Sequence, residues 1–133
     1  DMDRTIFMLL GPDKKSLNEK IALGWQKSTD ENKIHVFTHD GSVNLMFHAL
    51  QQADGSWIKP KQDAALFTLQ IQKHFGQHEC FLFPIQVQQK PIGLIYCDRS
   101  RRSETLTLED FSVAKHFAKQ AQIGLTLFRM QKA

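Results

Sequence analysis

Two runs of β-favouring apolar residues flank a short polar turn between Cys80 and Cys97. A chain that contains them has to pair them as an antiparallel hairpin and cover the result. In the first run Phe81, Phe83, Ile85 and Val87 alternate with Leu82, Pro84 and Gln86, the period of a strand. Pro84 has no N–H to offer a ladder, so this strand is expected near a sheet edge or at a bulge. The second run, Ile92-Gly93-Leu94-Ile95-Tyr96-Cys97, is apolar on both faces and therefore central or covered. Gln88-Gln89-Lys90-Pro91 forms the turn. Counting outward from it, Cys97 should face about residue 82.

The cover is a helix beginning at Leu108. Thr107 is its expected N-cap, with Asp110 three residues on in a capping-box pattern, and Glu109 and Asp110 suit the positive end of the helix dipole. Leu108, Phe111, Ala114, Ala118, Ala121, Leu125 and Phe128 make one stripe at three- and four-residue spacing. Phe117, Ile123, Leu127 and Met130 broaden it, leaving apolar surface for a second partner.

The first half is built from shorter pieces. Thr5–Leu10 reads as a strand stopping at Gly11-Pro12-Asp13. Leu17, Ile21 and Leu23 share one parity, which predicts a second, half-buried strand hairpinned to the first; Glu19 interrupts that parity and leaves a helical alternative open. Gly24-Trp25 closes it. Ile34–Phe37 is a short strand, and Ser42 a candidate N-cap for a helix on which Leu45, Met46, Ala49 and Leu50 share a face. Residues 57–60 are extended or turning, because the residue before Pro60 avoids the α region. Residues 63–74 are good helix formers with Leu66, Phe67 and Leu69 available for packing, ended by Gly76.

At 133 residues the chain is one domain in size, and with 41% hydrophobic residues it can bury roughly two-thirds of its unfolded surface without disulfide or metal staples. No run approaches the roughly 18 apolar residues of a membrane span. A net charge of +3 is too small a footprint for nucleic acid, and Arg99-Ser100-Arg101-Arg102 lacks the interleaved aromatics of a strand-binding surface. Neither a metal-type cysteine spacing nor a signal-peptide pattern is present, so a reducing, cytoplasmic setting is expected. The start at Asp1-Met2 suggests one domain, residues 1–133, excised from a longer protein.

Residues 80–127 resemble the C-terminal half of a GAF domain, a small-molecule sensor module related to PAS domains. The resemblance rests on Phe81-Leu82-Phe83-Pro84-Ile85, then Pro91-Ile92-Gly93-Leu94-Ile95-Tyr96 with Asp98 behind it. It continues through Leu106-Thr107-Leu108-Glu109-Asp110-Phe111 and Phe117-Ala118-Lys119-Gln120-Ala121. The early hairpin, Gly24-Trp25 and Asn44-Leu45-Met46-Phe47 look like the subtype that follows HDOD domains in bacterial signalling proteins. The usual N-terminal helix is missing or reduced to residues 1–3. The resemblance implies an α+β fold: a GAF/PAS-like central antiparallel sheet of five or six strands flanked by helices, with a long C-terminal helix. It also implies a ligand cavity between the sheet and residues 38–78, and dimerisation through terminal helices.

The function expected is a non-catalytic sensory or regulatory domain in bacterial signal transduction. The alternatives are a ligand-free packing and dimerisation module, and a GAF-type free methionine sulfoxide reductase using Cys80 and Cys97. Phe47, Trp57, Phe83 and Tyr96 are the candidate walls of a small-molecule pocket. Phe117, Ala121, Leu125 and Phe128 are the candidate homodimer surface. Besides that second copy, the expected partners are an unidentified small molecule and the neighbouring domain of the parent protein, with no nucleic acid and no membrane. No catalytic residue, metal or cofactor is expected. His39-Asp40 lies in a Gly/Ser loop, and Gly76 separates His74 from His78, Glu79 and Cys80, which opposes a zinc face. His35, His48 and His116 stand alone. Asp98 is expected to accept backbone N–H bonds in the loop towards Arg99, with Arg101 or Arg102 as a surface ion-pair partner.

Overall fold

A computed structural model describes residues 2–25, 33–37, 44–100 and 105–132, with side chains as far as Leu127 in the last stretch. The elements in chain order are β1 (Arg4–Leu10), β2 (Ser16–Leu23), β3 (His35–Phe37), α1 (Leu45–Ala49), β4 (Ser56–Ile58), α2 (Leu69–Phe75), β5 (Cys80–Val87), β6 (Lys90–Asp98) and α3 (Leu108–Lys132). The strands form one antiparallel sheet in the order β3-β2-β1-β6-β5-β4. β6, apolar on both faces, is central as its composition demands.

Side chains of alternating parity split the core in two. Ile6, Met8, Leu17, Val36, Leu82, Leu94 and Tyr96 point to one face and pack with Leu45, Met46, Ala49, Ile71 and Phe75 of α1 and α2. Phe81, Phe83 and Cys97 point to the other and pack with Phe111, Ala114 and Ala118 of α3. α3 starts on the predicted box: the Asp110 N–H donates to Thr107 Oγ1 at 3.1 Å and the Thr107 N–H donates to Asp110 Oδ2 at 2.8 Å. That backbone bond, the Thr107 hydroxyl and the Arg99 guanidinium hold the Asp110 carboxyl below its ordinary range.

Two bulges decide which face each residue takes. In the β5–β6 hairpin Gln88 and Gln89 both have positive φ (53° and 67°), a tight two-residue turn that pairs Val87 with Lys90. The register then slips between Ile85 and Gln86, because Ile92 is an extra residue on β6. Cys97 therefore pairs with Phe81, one position from the expected residue 82. Gly93 follows the bulge where a Cβ would lie 2.6 Å from the Met8 carbonyl oxygen, so β1 can approach only a glycine there. In the β1–β2 hairpin the slip falls between Phe7 and Met8. It keeps Leu17 and Glu19 inside but turns Ile21 and Leu23 out, to 59% and 63% exposure, against the parity read from sequence. Glu19 is buried and accepts the Ile34 N–H at 3.0 Å.

Other expectations shift locally. Pro84 lies beyond the end of β4, whose three residues pair only with Cys80–Leu82, so no ladder bond is lost on that side. Asn44 caps α1, its Oδ1 accepting from Met46 and Phe47; Ser42 lies outside the described residues. The stretch 63–74 is not one helix. A 3-10 turn at Ala64–Leu66 ends at buried Phe67, and Thr68 caps a fresh start, which leaves Leu69 85% exposed. On α3, Leu108 is also exposed, because it precedes the first residue that reaches the sheet.

Asp98, fully buried at the end of β6, ties these parts together. It accepts from Arg4 Nη2 at 2.7 Å, from the Tyr96 hydroxyl and from the Ser100 N–H at 3.1 Å. Arg4 also donates to the Phe75 carbonyl at 2.6 Å and lies over the Trp25 ring. Removing one partner of a buried pair leaves the other charge uncompensated, at about 3–5 kcal/mol. Asp98→Ala should lose stability on that scale in urea unfolding, whereas Asp54→Ala, at the exposed end of a 3.8 Å pair with Lys115, should change little.

Candidate functional site

The four residues expected to wall one cavity are on opposite faces of the sheet. Phe83 pairs with Ile95, so Tyr96, one residue further on, must point the other way. Tyr96 is buried between Phe75 and Trp25, at ring distances of 4.8 and 6.1 Å, with its hydroxyl on Asp98. Burial first, and the nearby Cys80 and Asp98 after it, push its phenol well above the usual range. Phe47 packs on the same side. Trp57 and Phe83 belong to the aromatic layer under α3, where Trp57 stacks on Phe111 at 6.1 Å and donates its Nε1 to Glu79 at 2.7 Å. The space between the sheet and α1 and α2 is occupied by the protein's own side chains, most of them fully buried.

A groove of about 610 Å³ opens at the rim of that interior, between the edge strand β3 and α2. Gln70 holds its walls in place by treating β3 as a further strand would. Its Oε1 accepts the Phe37 N–H at 2.8 Å and its Nε2 donates to the Phe37 carbonyl at 3.0 Å. Asn44 Nδ2 donates to the same carbonyl. The groove carries His35, Lys73 and His74 beside the apolar Phe37 and Leu69. Half-burial, with Lys73 and His35 nearby, holds His74 below the ordinary histidine range. His74 stands on α2 and Gly76, at φ 76°, ends that helix, so His78 does not continue its face. No group of three metal-ligating side chains occurs among the described residues. His39-Asp40 lies outside them.

A second groove, about 620 Å³, runs along the other face between α3 and the uncovered part of β1, β2 and β6. Leu23, Ile95, Val113 and Phe117 line it, and Phe117 is 69% exposed. Of the candidate dimer residues, Phe117 and Ala121 reach this groove, Leu125 is half-buried, and the Phe128 side chain is outside the described part. Cys97 lies at its floor, its thiol pushed up to about 12 by burial and by Asp98. Cys80 faces the opposite core, where burial also raises its thiol. The Ile92 bulge causes the separation: an unbulged hairpin closed by the same turn would pair Cys80 with Cys97.

Sequence reasoning gathers Phe47, Trp57, Phe83 and Tyr96 into one cavity and misses the Arg4–Asp98 pair and the β3–α2 groove. No local motif marks either, because both join segments far apart in the chain.

No family model and no curated protein matches the chain by sequence. Solved structures match its fold. It is similar to a GAF domain/HD domain protein from Geobacter sulfurreducens (TM-score 0.73, 13% identity, covering 100% of this chain and 84% of that one). It is similar also to the GAF domain of a two-component sensor histidine kinase from Bacillus halodurans (0.69, 15%, covering 100% and 87%). A type II free methionine-R-sulfoxide reductase from Thermoplasma acidophilum is a further match (0.59, 19%, covering 88% and 74%). With its six-strand antiparallel sheet, helices on both faces and long closing helix, the chain has the fold of GAF domains.

Proposed function

We propose that the chain is a non-catalytic sensory or regulatory module of a signalling protein, whose α3 passes state onward through pairing of two copies. The observation that carries this is the uncovered apolar strip beside α3, where Leu23, Val113 and Phe117 are each more than half exposed along one groove. α3 has 25 residues, about 37 Å of helix, longer than the eight-residue β5 it crosses, so its far end extends beyond the sheet. The similarity to a domain of a sensor histidine kinase supports the same reading. The filled interior favours the form of this function in which the sheet–helix core takes no ligand. Among the described residues no helix is long and apolar enough to cross a membrane.

Phe117→Glu should convert a dimer to a monomer in sedimentation equilibrium, with the circular dichroism spectrum unchanged. A monomeric parent chain, or an unchanged mass for the variant, would remove the pairing.

Thiol chemistry of the reductase type needs an accessible thiolate and a second thiol within reach. Cys80 and Cys97 are buried on opposite faces, with both thiols held protonated well above neutral pH. At pH 8 an aromatic disulfide reagent should label neither in the native protein and both after unfolding. Fast labelling of either one in the native state would reopen the enzymatic reading.

A further inference from the structure

The β3–α2 groove has a chemical character of its own. Three nitrogen-bearing side chains able to carry positive charge meet there, His35 from β3 and Lys73 and His74 from α2, and no carboxylate is among the described residues that line it. The ring of His35 is oriented by its Nδ1, which sits 2.6 Å from Asn18 Oδ1. His74 makes an edge contact with Phe75. Lys73 is exposed, and no carboxylate lies within ion-pair distance of it among the described residues. The amides at the groove, Gln70 and Asn44, are already committed to the Phe37 backbone. What is left for a guest is the Lys73 ammonium with two imidazoles on one side and the apolar surfaces of Phe37 and Leu69, 48% and 85% exposed, on the other.

We infer that this groove binds a small organic anion, a carboxylate or phosphate carried on an apolar body, with Lys73 and the two imidazoles facing the anionic end and Phe37 and Leu69 the body. The frame suits that task. Gln70 pins α2 to the edge of β3, so the charged and apolar halves keep a fixed spacing before any ligand arrives, which lowers the ordering cost of binding. A volume of about 610 Å³ falls within the size of small-molecule sites. The inference rests on the sensory reading and supplies its input: the core is filled, and the groove lies at its rim.

The test tracks the His35 and His74 imidazole resonances of the whole chain by NMR while phenyl phosphate, benzoate, benzyl alcohol and benzamidine are added in turn. At least one of the two anions should shift both histidines saturably and bind about tenfold more tightly than benzyl alcohol; which anion is stronger tells phosphate from carboxylate. Benzamidine should produce no saturable shift. Lys73→Met should weaken the anion about tenfold, the loss of one hydrogen bond to a charged group. Leu69→Ser should weaken it several-fold while leaving inorganic phosphate unaffected. Equal responses to the neutral, cationic and anionic probes, an unchanged affinity in Lys73→Met, or no response at all would overturn the inference. A chain that ignores every probe yet still pairs through Phe117 would lose this input site and keep its pairing, so the two readings fail separately.

Discussion

Asp98 is the one fully buried carboxylate among the described residues, and the arrangement of the sheet's centre depends on its pairing with Arg4. Burial alone would disfavour the Arg4 charge, but hydrogen bonding to Asp98 and attraction from Tyr96 and Asp98 outweigh it and raise the guanidinium above its ordinary value. Arg4 then reaches the last turn of α2 at Phe75, and the Asp3 N–H donates to the Asp98 carbonyl at 2.8 Å. One charge pair thus locks the start of β1 to the end of β6 and, through Arg4, ties the end of α2 to both. A hydrophobic replacement of similar shape could match its stability. It could not supply the directional bonds that place the Phe75 carbonyl and the Ser100 turn.

Bulges do the complementary task of assigning faces. Ile92 and Lys20 are each an extra residue in a hairpin, and each reverses the parity of the strand residues beyond it. One separates two thiols that a regular hairpin would have paired. The other turns Ile21 and Leu23 away from the α1–α2 core and onto the α3 face. The apolar groove beside α3 exists because of that reversal: without the β2 bulge, Leu23 would face inward and the strip would lose one of its walls.

The range of each interaction decides how much of this is legible in the sequence. The β5–β6 hairpin, the Thr107–Asp110 box and the apolar set on α1 depend on residues at most a few positions apart, and residue type reveals them. The register slips do not, since a bulge changes pairing without any distinctive composition, and so parity counting misplaces Cys97 and Ile21. Periodicity runs straight through Thr68 and assigns Leu69 to the core, whereas the hydroxyl of Thr68 caps a new helix. The local role of Asp98 towards Ser100 can be read from its place after a strand. Its bond to Arg4 cannot, because 94 residues separate them. For the same reason the polar side of the β3–α2 groove, drawn from residues 35, 73 and 74, does not show in the sequence, where His35 stands alone and His74 groups with His78.

The first groove opens at the β3 edge of the sheet beside α2 and the second lies under α3, and this separation limits how either could influence the other. Side chains of β1 and β6 alternate between the faces: Ile6, Leu94 and Tyr96 touch the core below α1 and α2, while Thr5, Ile95 and Cys97 line the groove beside α3. The Phe75 carbonyl at the end of α2 is held by Arg4. Arg4 is next in sequence to Thr5 and two residues from Met2, both of which line the α3 groove. Contiguity of this kind supplies a route, but coupling also needs an element with two discrete arrangements that both sites bias. Arg4 bonds two acceptors at once, the Asp98 carboxylate and the Phe75 carbonyl, and so ties the end of α2 to the centre of the sheet.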